Sequence, residues 1–338
     1  MSVTTVTVAA DEADIRLDRW FKRHYPGLSH GRLEKLLRTG QVRVDGKRAK
    51  SNQRLEPGQA LRVPPLTEET VPAERTSFFE KRSRVSPEDE AMIRASVIYK
   101  DASVLVLNKP PGLATQGGTG VTRHVDGMLD ALCFDLPERP KLVHRLDKDT
   151  SGVLVLGRSA KSAAALAKAF RSRDAKKIYW ALVVGLPNPP QGVIKAPMSK
   201  QEGSGGEKMQ VDPYEGLSAV TDYRVVESAQ KKAAWVQLEP RTGRTHQVRV
   251  HCAYMGTPIV GDGKYGGADA HLQGMGVSRK LHLHARAISI PHPDGGTLRV
   301  IAPMAEHMTE SFDFFGFELN EAPDPFGDGD ETCGVCIS

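Results

Sequence analysis

His144-Arg145-Leu146-Asp147-Lys148-Asp149-Thr150-Ser151-Gly152, running into Val153-Leu154-Val155-Leu156, is the stretch on which the reading of this 338-residue chain turns. The last four residues form an apolar, partly β-branched run of the kind that makes a buried strand, and the Asp, Thr, Ser and Gly before it favour a turn. Asp147 is therefore expected at the edge of a core rather than out on a mobile loop. Turn chemistry alone accounts for a lone aspartate at such a place. Five ionisable groups between two apolar segments, however, are more than a simple turn requires.

Working outward, a second dense stretch lies about a hundred residues on, Thr242-Gly243-Arg244-Thr245-His246-Gln247-Val248-Arg249-Val250-His251. His246 and His251 invite a metal reading, but no acidic or thiolate ligand lies close at suitable spacing, so hydrogen bonding or helix packing is the expectation. Between the two stretches, Lys176 to Val184 reads as a strand carrying Tyr179, which by itself could be an ordinary half-buried strand tyrosine. Upstream, two strands, 97–101 and 104–107, end at Lys109-Pro110-Pro111-Gly112, a turn that Pro and Gly would stiffen whatever Lys109 does. Met128 to Phe134 and Ser162 to Arg171 read as helices, and 219–226 and 233–238 as alternating strands. A further strand begins at Leu281, and the polar, Gly-rich Gln201 to Gly216 reads as a flexible surface loop.

His-Arg-Leu-Asp-Lys-Asp-Thr-Ser-Gly followed by an apolar strand resembles the signature of the RluA/RluC/RluD type of pseudouridine synthase, a family acting on uridine in structured RNA. The resemblance implies that Asp147 is the catalytic aspartate. The stretch from Thr242 is similar to the family's third motif, from which Arg244 is implied as the partner of Asp147; a guanidinium would hold the carboxylate ionised by charge and a two-pronged hydrogen bond. In the same way Tyr179 is implied to lie against the target base, Leu146 to form part of the pocket wall, Arg145 to fill the space left by an extruded base, and Lys109 to sit near the site as a substrate-binding residue. The turn at Pro258 to Gly266 is also seen in the family.

The amino-terminal part carries its own pattern. Arg16 to Arg23 has Leu17, Trp20 and Phe21 on one helical side, and Ser29 caps a second helix, His30 to Arg38, with Leu33, Leu36 and Leu37 facing inward. Gln41 to Lys47 reads as a strand entering an Asp-Gly hairpin turn, and 60–63 as a returning strand. Helix, helix, hairpin with one basic face resembles the RNA-binding fold of ribosomal protein S-four. That likeness makes Arg32, Lys35, Arg38, Arg43 and Lys47 candidate RNA contacts, although a charge run is also the usual dress of a solvated face.

The fold class expected is α+β: a small S-four-like module over 1–65, a linker over 66–95, a mainly antiparallel mixed-sheet catalytic domain over 96–320, and an acidic, disordered tail over 321–338. A net charge of +5 suits an anionic partner. The first fourteen residues lack an apolar signal core, no apolar run is long enough to span a bilayer, and four scattered cysteines make no disulfide framework. The expectation is a cytoplasmic, monomeric enzyme. Cys333 and Cys336 offer only two ligands, too few for a metal site.

What the resemblance implies is isomerisation of uridine to pseudouridine, with large-subunit ribosomal RNA favoured over transfer RNA, no cofactor, no metal and a flipped-out nucleotide. Two other classes stay open on the residues alone. Asp147-Lys148-Asp149-Thr150 superficially matches an aspartyl-nucleophile phosphatase, which would need magnesium and a continuous apolar strand before its first aspartate; His144-Arg145 interrupts any such strand. A non-catalytic RNA-binding protein is the other.

Overall fold

The computed structural model describes residues 3–9, 12, 14–25, 27–66, 85–118, 120–201, 208–272, 276–322, 324–326 and 335–337. They divide into two units, Met1–Arg84 and Val85–Ser338. In the first, strands β1 (Thr4–Thr7), β2 (Arg43–Val44), β3 (Lys47–Arg48) and β4 (Ala60–Val63) form an antiparallel sheet in the order β1-β4-β2-β3. Helices α1 (Leu17–His24) and α2 (His30–Arg38) bury Leu17, Trp20, Phe21, Leu33 and Leu37, the apolar faces read from their spacing. Ser29 accepts a hydrogen bond from the Arg32 amide at 3.4 Å, as an N-cap should. Asp45 and Gly46 both have positive φ, which a two-residue hairpin turn of this type requires.

Arg32, Lys35, Arg38 and Lys47 project from this unit into solvent, where anionic RNA could meet them. Arg43 differs from that expectation. It is half-buried, and its guanidinium donates to the carbonyls of Gly40 at 3.1 Å and Gly46 at 3.0 Å, so it staples the hairpin as well as carrying charge.

The second unit is organised on one large sheet. Strands β5 (Val97–Lys100), β6 (Val104–Lys109), β7 (Lys141–Leu142), β8 (Ser151–Gly157), β9 (Lys176–Val184) and β10 (Gln191–Lys195) belong to it, β11 (Met198–Lys200) and β12 (Met209–Val211) form a separate hairpin, and β13 (Val220–Ala229), β14 (Ala233–Pro240), β15 (Leu283–Pro291), β16 (Thr297–Ile301) and β17 (Val335–Ile337) complete it. The path runs β10-β13-β14-β9-β15-β8-β6-β5, with β7 on β8 and β16 and β17 beyond β15. Among the strands named here β8 with β15 is the one parallel pairing. Every residue of β8 is buried. Leu154 and Leu156 face one apolar cluster, and Val153 and Val155 face another, as the two-residue period of a strand covered on both sides demands.

Helices α3 (Pro87–Ala95), α4 (Val125–Met128), α5 (Ala160–Ser172), α6 (Gln247–Tyr254) and α7 (Glu306–Phe315) complete the unit. Four expectations change. Of the linker, 67–84 lies outside the described residues, but α3 is a capped helix with Ile93 fully buried; proline at its start and Glu88, Asp89 and Glu90 in its first turn gave a linker-like composition to what is a helix N-terminus. Met128 to Phe134 is a short α4 followed by a 3-10 turn, Leu129–Leu132, not one helix. Within Gln201 to Gly216, β12 pairs with β11, and Asp212 Oδ1 fixes the following turn by accepting the Tyr214 and Glu215 amides at 3.1 and 3.0 Å; residues 202–207 lie outside the described ones. In the tail, β17 adds to β16, placing Cys336 in a strand, whereas Cys333 is outside the described residues.

Two histidines sealed in this core give a measurable property. His284 bonds Ser151 Oγ at 2.9 Å and the Ala302 carbonyl at 3.3 Å, and His282 bonds the Lys280 carbonyl and Ser311 Oγ, both at 2.8 Å. Burial lowers His284 to about 3 and His282 to about 4. Both are therefore neutral when folded, while the unfolded chain takes up their protons near pH 6.5, so stability falls as pH drops from there toward the folded values. Each contributes a slope of about 1.4 kcal/mol per pH unit in that window. The thermal midpoint should decline steeply from pH 6 to pH 4.5, and a level midpoint across this range would contradict the account.

Candidate active site

Asp147 lies in the connection between β7 and β8, and the backbone around it is held on all sides. Thr115 Oγ1 donates to the Leu146 carbonyl at 2.7 Å and accepts the Leu146 amide at 3.1 Å. The Thr150 amide closes a turn on the Asp147 carbonyl at 3.2 Å, and His144 Nε2 accepts the Val155 amide at 2.8 Å. Gly152 at the start of β8 has φ +106, and a Cβ there would stand 2.2 Å from the Ala285 carbonyl oxygen. Only glycine permits the parallel contact with β15 that pins the loop's exit.

Lys109 completes the support and corrects one expectation. It has no exposed surface, and its ammonium donates to the carbonyls of Pro110 at 2.9 Å, Leu113 at 2.8 Å and Lys148 at 3.0 Å. Burial lowers its pKa to about 7, opposed by the charges of Asp149 and Asp147. Three carbonyl acceptors use all three protons of an ammonium, so the charged form is the one the geometry fits. Lys109 is thus a tether joining the Pro110-Pro111-Gly112 turn to the Asp147 loop, not a substrate contact.

The carboxylate of Asp147 is about a quarter exposed and faces two side chains: Arg249 Nη1 stands 3.6 Å from Oδ2, and His246 Nε2 stands 3.8 Å from Oδ1. The partner is therefore Arg249, one turn into α6, and not Arg244. Arg244 instead donates through Nε to the Ser218 carbonyl at 3.2 Å, and its amide donates to Gln247 Oε1 at 3.0 Å. The two-pronged bond expected at Asp147 is made to a different carboxylate: Arg249 Nε and Nη2 reach Asp262 at 2.8 and 2.7 Å. Asp262 is 1% exposed, so this pair fixes the guanidinium and leaves Nη1 directed at Asp147.

Tyr265 supports the same group. Its ring lies 5.1 Å from the Arg249 guanidinium carbon, and its hydroxyl accepts the Met209 amide at 3.1 Å. The hydroxyl also bonds His246 Nδ1 at 2.5 Å, and a neutral imidazole that accepts there carries its proton on Nε2, the nitrogen facing Asp147. Burial lowers the His246 pKa, with the Asp147 charge opposing it. His246 also starts α6 in the left-handed region, φ 55, a strained position for a non-glycine residue. His251 meets the hydrogen-bonding expectation, bonding Thr221 Oγ1 at 2.9 Å and the Ala196 carbonyl at 3.1 Å.

These groups border a cavity of about 710 Å³ lined by Arg145, Leu146, Asp147, Tyr179, Arg244 and Arg249, among others. Leu146 is buried, Arg145 is exposed, and Tyr179 packs against two apolar clusters, one with Ala285 and one with Leu283 of β15. Burial and the negative charge of Asp147 push the Tyr179 phenol up, so it stays protonated near neutral pH. A planar ring-sized ligand entering here would meet Tyr179 and Leu146 beside the Asp147 carboxylate, on a lining that also carries Arg145, Arg244 and Arg249.

Arg249, Asp262 and Tyr265 were not legible as a set. In α6 the residues Gln247 to Cys252 are all buried, so the helix shows no polar face and no amphipathic period. The available signal was chemical: an arginine among Val248 and Val250 on a buried helix needs a buried acid, and Asp262 follows thirteen residues later.

Known proteins resemble the chain along most of its length. A family model described as RNA pseudouridylate synthase matches residues 103–254, and one described as S4 domain matches residues 15–61. The ribosomal large subunit pseudouridine synthase C of Escherichia coli K12 is 37% identical, covering 90% of this chain and 94% of its own. RNA pseudouridine synthase 4, mitochondrial, of Arabidopsis thaliana is 34% identical over 91% of this chain and 81% of its own. The solved structure of human RNA pseudouridylate synthase domain containing 4 aligns with a TM-score of 0.59 at 28% identity, covering 72% of this chain and 99% of that one. With its aspartate loop, its sheet and its amino-terminal S4 domain, the chain belongs to the RNA pseudouridylate synthase family.

Proposed function

We propose that the chain converts specific uridines of large-subunit ribosomal RNA to pseudouridine, as a cytoplasmic monomer, with Asp147 as the catalytic carboxylate and without a cofactor. The observation that carries this reading is the Asp147 carboxylate on the lining of the 710 Å³ cavity, with Arg249 at 3.6 Å. The ribosomal large subunit pseudouridine synthase C of Escherichia coli, at 37% identity, supports the choice of RNA.

The reaction breaks the bond between ribose C1′ and uracil N1, turns the base, joins C1′ to C5, and moves the C5 proton away while N1 gains one. Atoms are conserved, so no external reagent is consumed. Asp147 acts beside the sugar, either as nucleophile at C1′ or as base at C2′. Arg249 places its positive charge beside the carboxylate, and its grip on Asp262 prevents it from collapsing fully onto Asp147 and blocking the attacking oxygen. Tyr179 and Leu146 enclose the freed uracil, and Arg145 at the exposed rim occupies the gap left in the RNA stack.

Pseudouridine mapping in total RNA from cells with and without the gene tests the assignment. Sites lost in large-subunit ribosomal RNA and restored by the wild-type gene are expected. Sites lost only in transfer RNA would replace the proposed substrate, and unchanged maps would remove the enzymatic reading.

A further inference from the structure

Asp147, His246 and Arg249 also border a second cavity, of about 550 Å³, whose lining does not include Tyr179. Its lining lacks the tyrosine of the first, which has arginines of its own. Beside Pro111 and Leu281 it has the backbones of Gly112, Gly261 and Gly263 and four cationic side chains, Lys148, Lys264, Arg279 and Lys280. Asp147 and Asp149 are the acids on the same lining, and Arg249 is already engaged by Asp262, so cations remain in excess.

The cations are brought together by the fold, since they come from three separate segments. Gly261 has φ +81, and a Cβ there would lie 2.0 Å from the Lys280 carbonyl oxygen. The segment that carries Lys264 is therefore in backbone contact with the one that carries Arg279 and Lys280, and any side chain at 261 would part them. The His282 amide donates to the Val260 carbonyl at 2.9 Å, locking the same junction. Lys148 is placed from the opposite side by its carbonyl, which accepts from Lys109 at 3.0 Å. Arg279 and Lys280 are exposed, and among the described residues neither forms an ion pair.

Resting on the synthase reading above, we infer that this second cavity is the subsite for a backbone phosphodiester adjoining the target uridine, with Arg279 and Lys280 as its principal contacts. A uridine whose base lies against Tyr179 in the first cavity has its ribose at Asp147, which borders both cavities, and its chain continues from the ribose. The second cavity is a continuation that offers a phosphate counter-charge beside that ribose. Glycine backbones leave room for a strand to pass close to the surface. Phosphate contacts of this kind fix register rather than sequence, so the subsite positions the anomeric carbon over Asp147.

The test uses the full-length protein and the RNA that it isomerises. Binding and kcat/KM are measured from 50 to 300 mM KCl for wild type, Arg279→Gln, Lys280→Gln, the double variant, and Lys231→Gln, an exposed control in the turn before β14. Loss of this one phosphate contact should flatten the log-log salt slope by about 0.7 to 0.9 in the double variant, with each single variant between it and wild type. The double variant's KM should rise about tenfold or more, with the change in kcat much smaller and the control at wild-type slope. In parallel, RNAs with one neutral methylphosphonate linkage, 5′ or 3′ of the uridine, should show the same KM loss at one of the two positions, with no further loss in the double variant. An unchanged slope, a fall confined to kcat, or full additivity with both linkages would overturn the subsite. Failure of wild type to form pseudouridine would instead refute the synthase reading, and the binding slopes would still report on the subsite.

Discussion

Asp147→Asn should abolish pseudouridine formation, lowering kcat/KM by about four orders of magnitude or more, while RNA affinity stays within about threefold. The amide keeps the shape of the side chain but can neither attack C1′ nor accept a proton. Little else should change. Asp147 is partly exposed and engages its neighbours at 3.6 and 3.8 Å, beyond hydrogen-bond length, so no buried bond is broken. Arg249 retains both bonds to Asp262. Release of the C5 hydrogen from labelled RNA, followed beside a thermal melt and a filter-binding isotherm, separates the three properties. An Asn variant turning over within tenfold of wild type would end the case for Asp147.

The second large effect distinguishes two arginines only five residues apart. Arg249→Met leaves Asp262 buried without its two guanidinium bonds, retaining only the Tyr265 amide at 3.3 Å. Removing one partner of a buried pair costs about 3–5 kcal/mol, so this variant should be markedly less stable. Arg249→Lys keeps the charge but not the fork; it should fold and still lose about a hundredfold to a thousandfold in kcat, because an ammonium cannot serve Asp262 with two parallel bonds and Asp147 with a third. Arg244→Gln should lose less than about tenfold, mostly in KM, since its recorded bonds run to a carbonyl and a glutamine. Equal losses in Arg244→Gln and Arg249→Lys would restore Arg244 to the central place.

The chemical identity of this chain was written locally. A buried strand preceded by a turn rich in Asp, Thr, Ser and Gly is a short-range pattern, and β8 with Asp147 before it follows from residues within a few positions of one another. The same holds for α1 and α2, whose apolar faces repeat every three to four residues, and for Asp45-Gly46, where the turn needs two residues that tolerate positive φ. The start of α3 shows the limit of composition: Pro87 and three acids read as linker until Ile93 is seen to be buried.

What only the tertiary structure decided is which groups touch. Asp147 and Arg249 are about a hundred residues apart, and Arg249 and Asp262 lie on either side of a helix end and a glycine turn. Arg244 and Arg249 stand in one motif, and both line the first cavity, so spacing cannot rank them. The choice was made by a buried carboxylate that only one of the two guanidiniums can reach in the packed chain. Lys109 was settled the same way, by three carbonyls that converge only once β6 and the Asp147 loop are side by side. Sequence fixes the kinds of chemical group at hand; folding fixes their distances, and whether a charge acts on substrate or on its own scaffold depends on those distances.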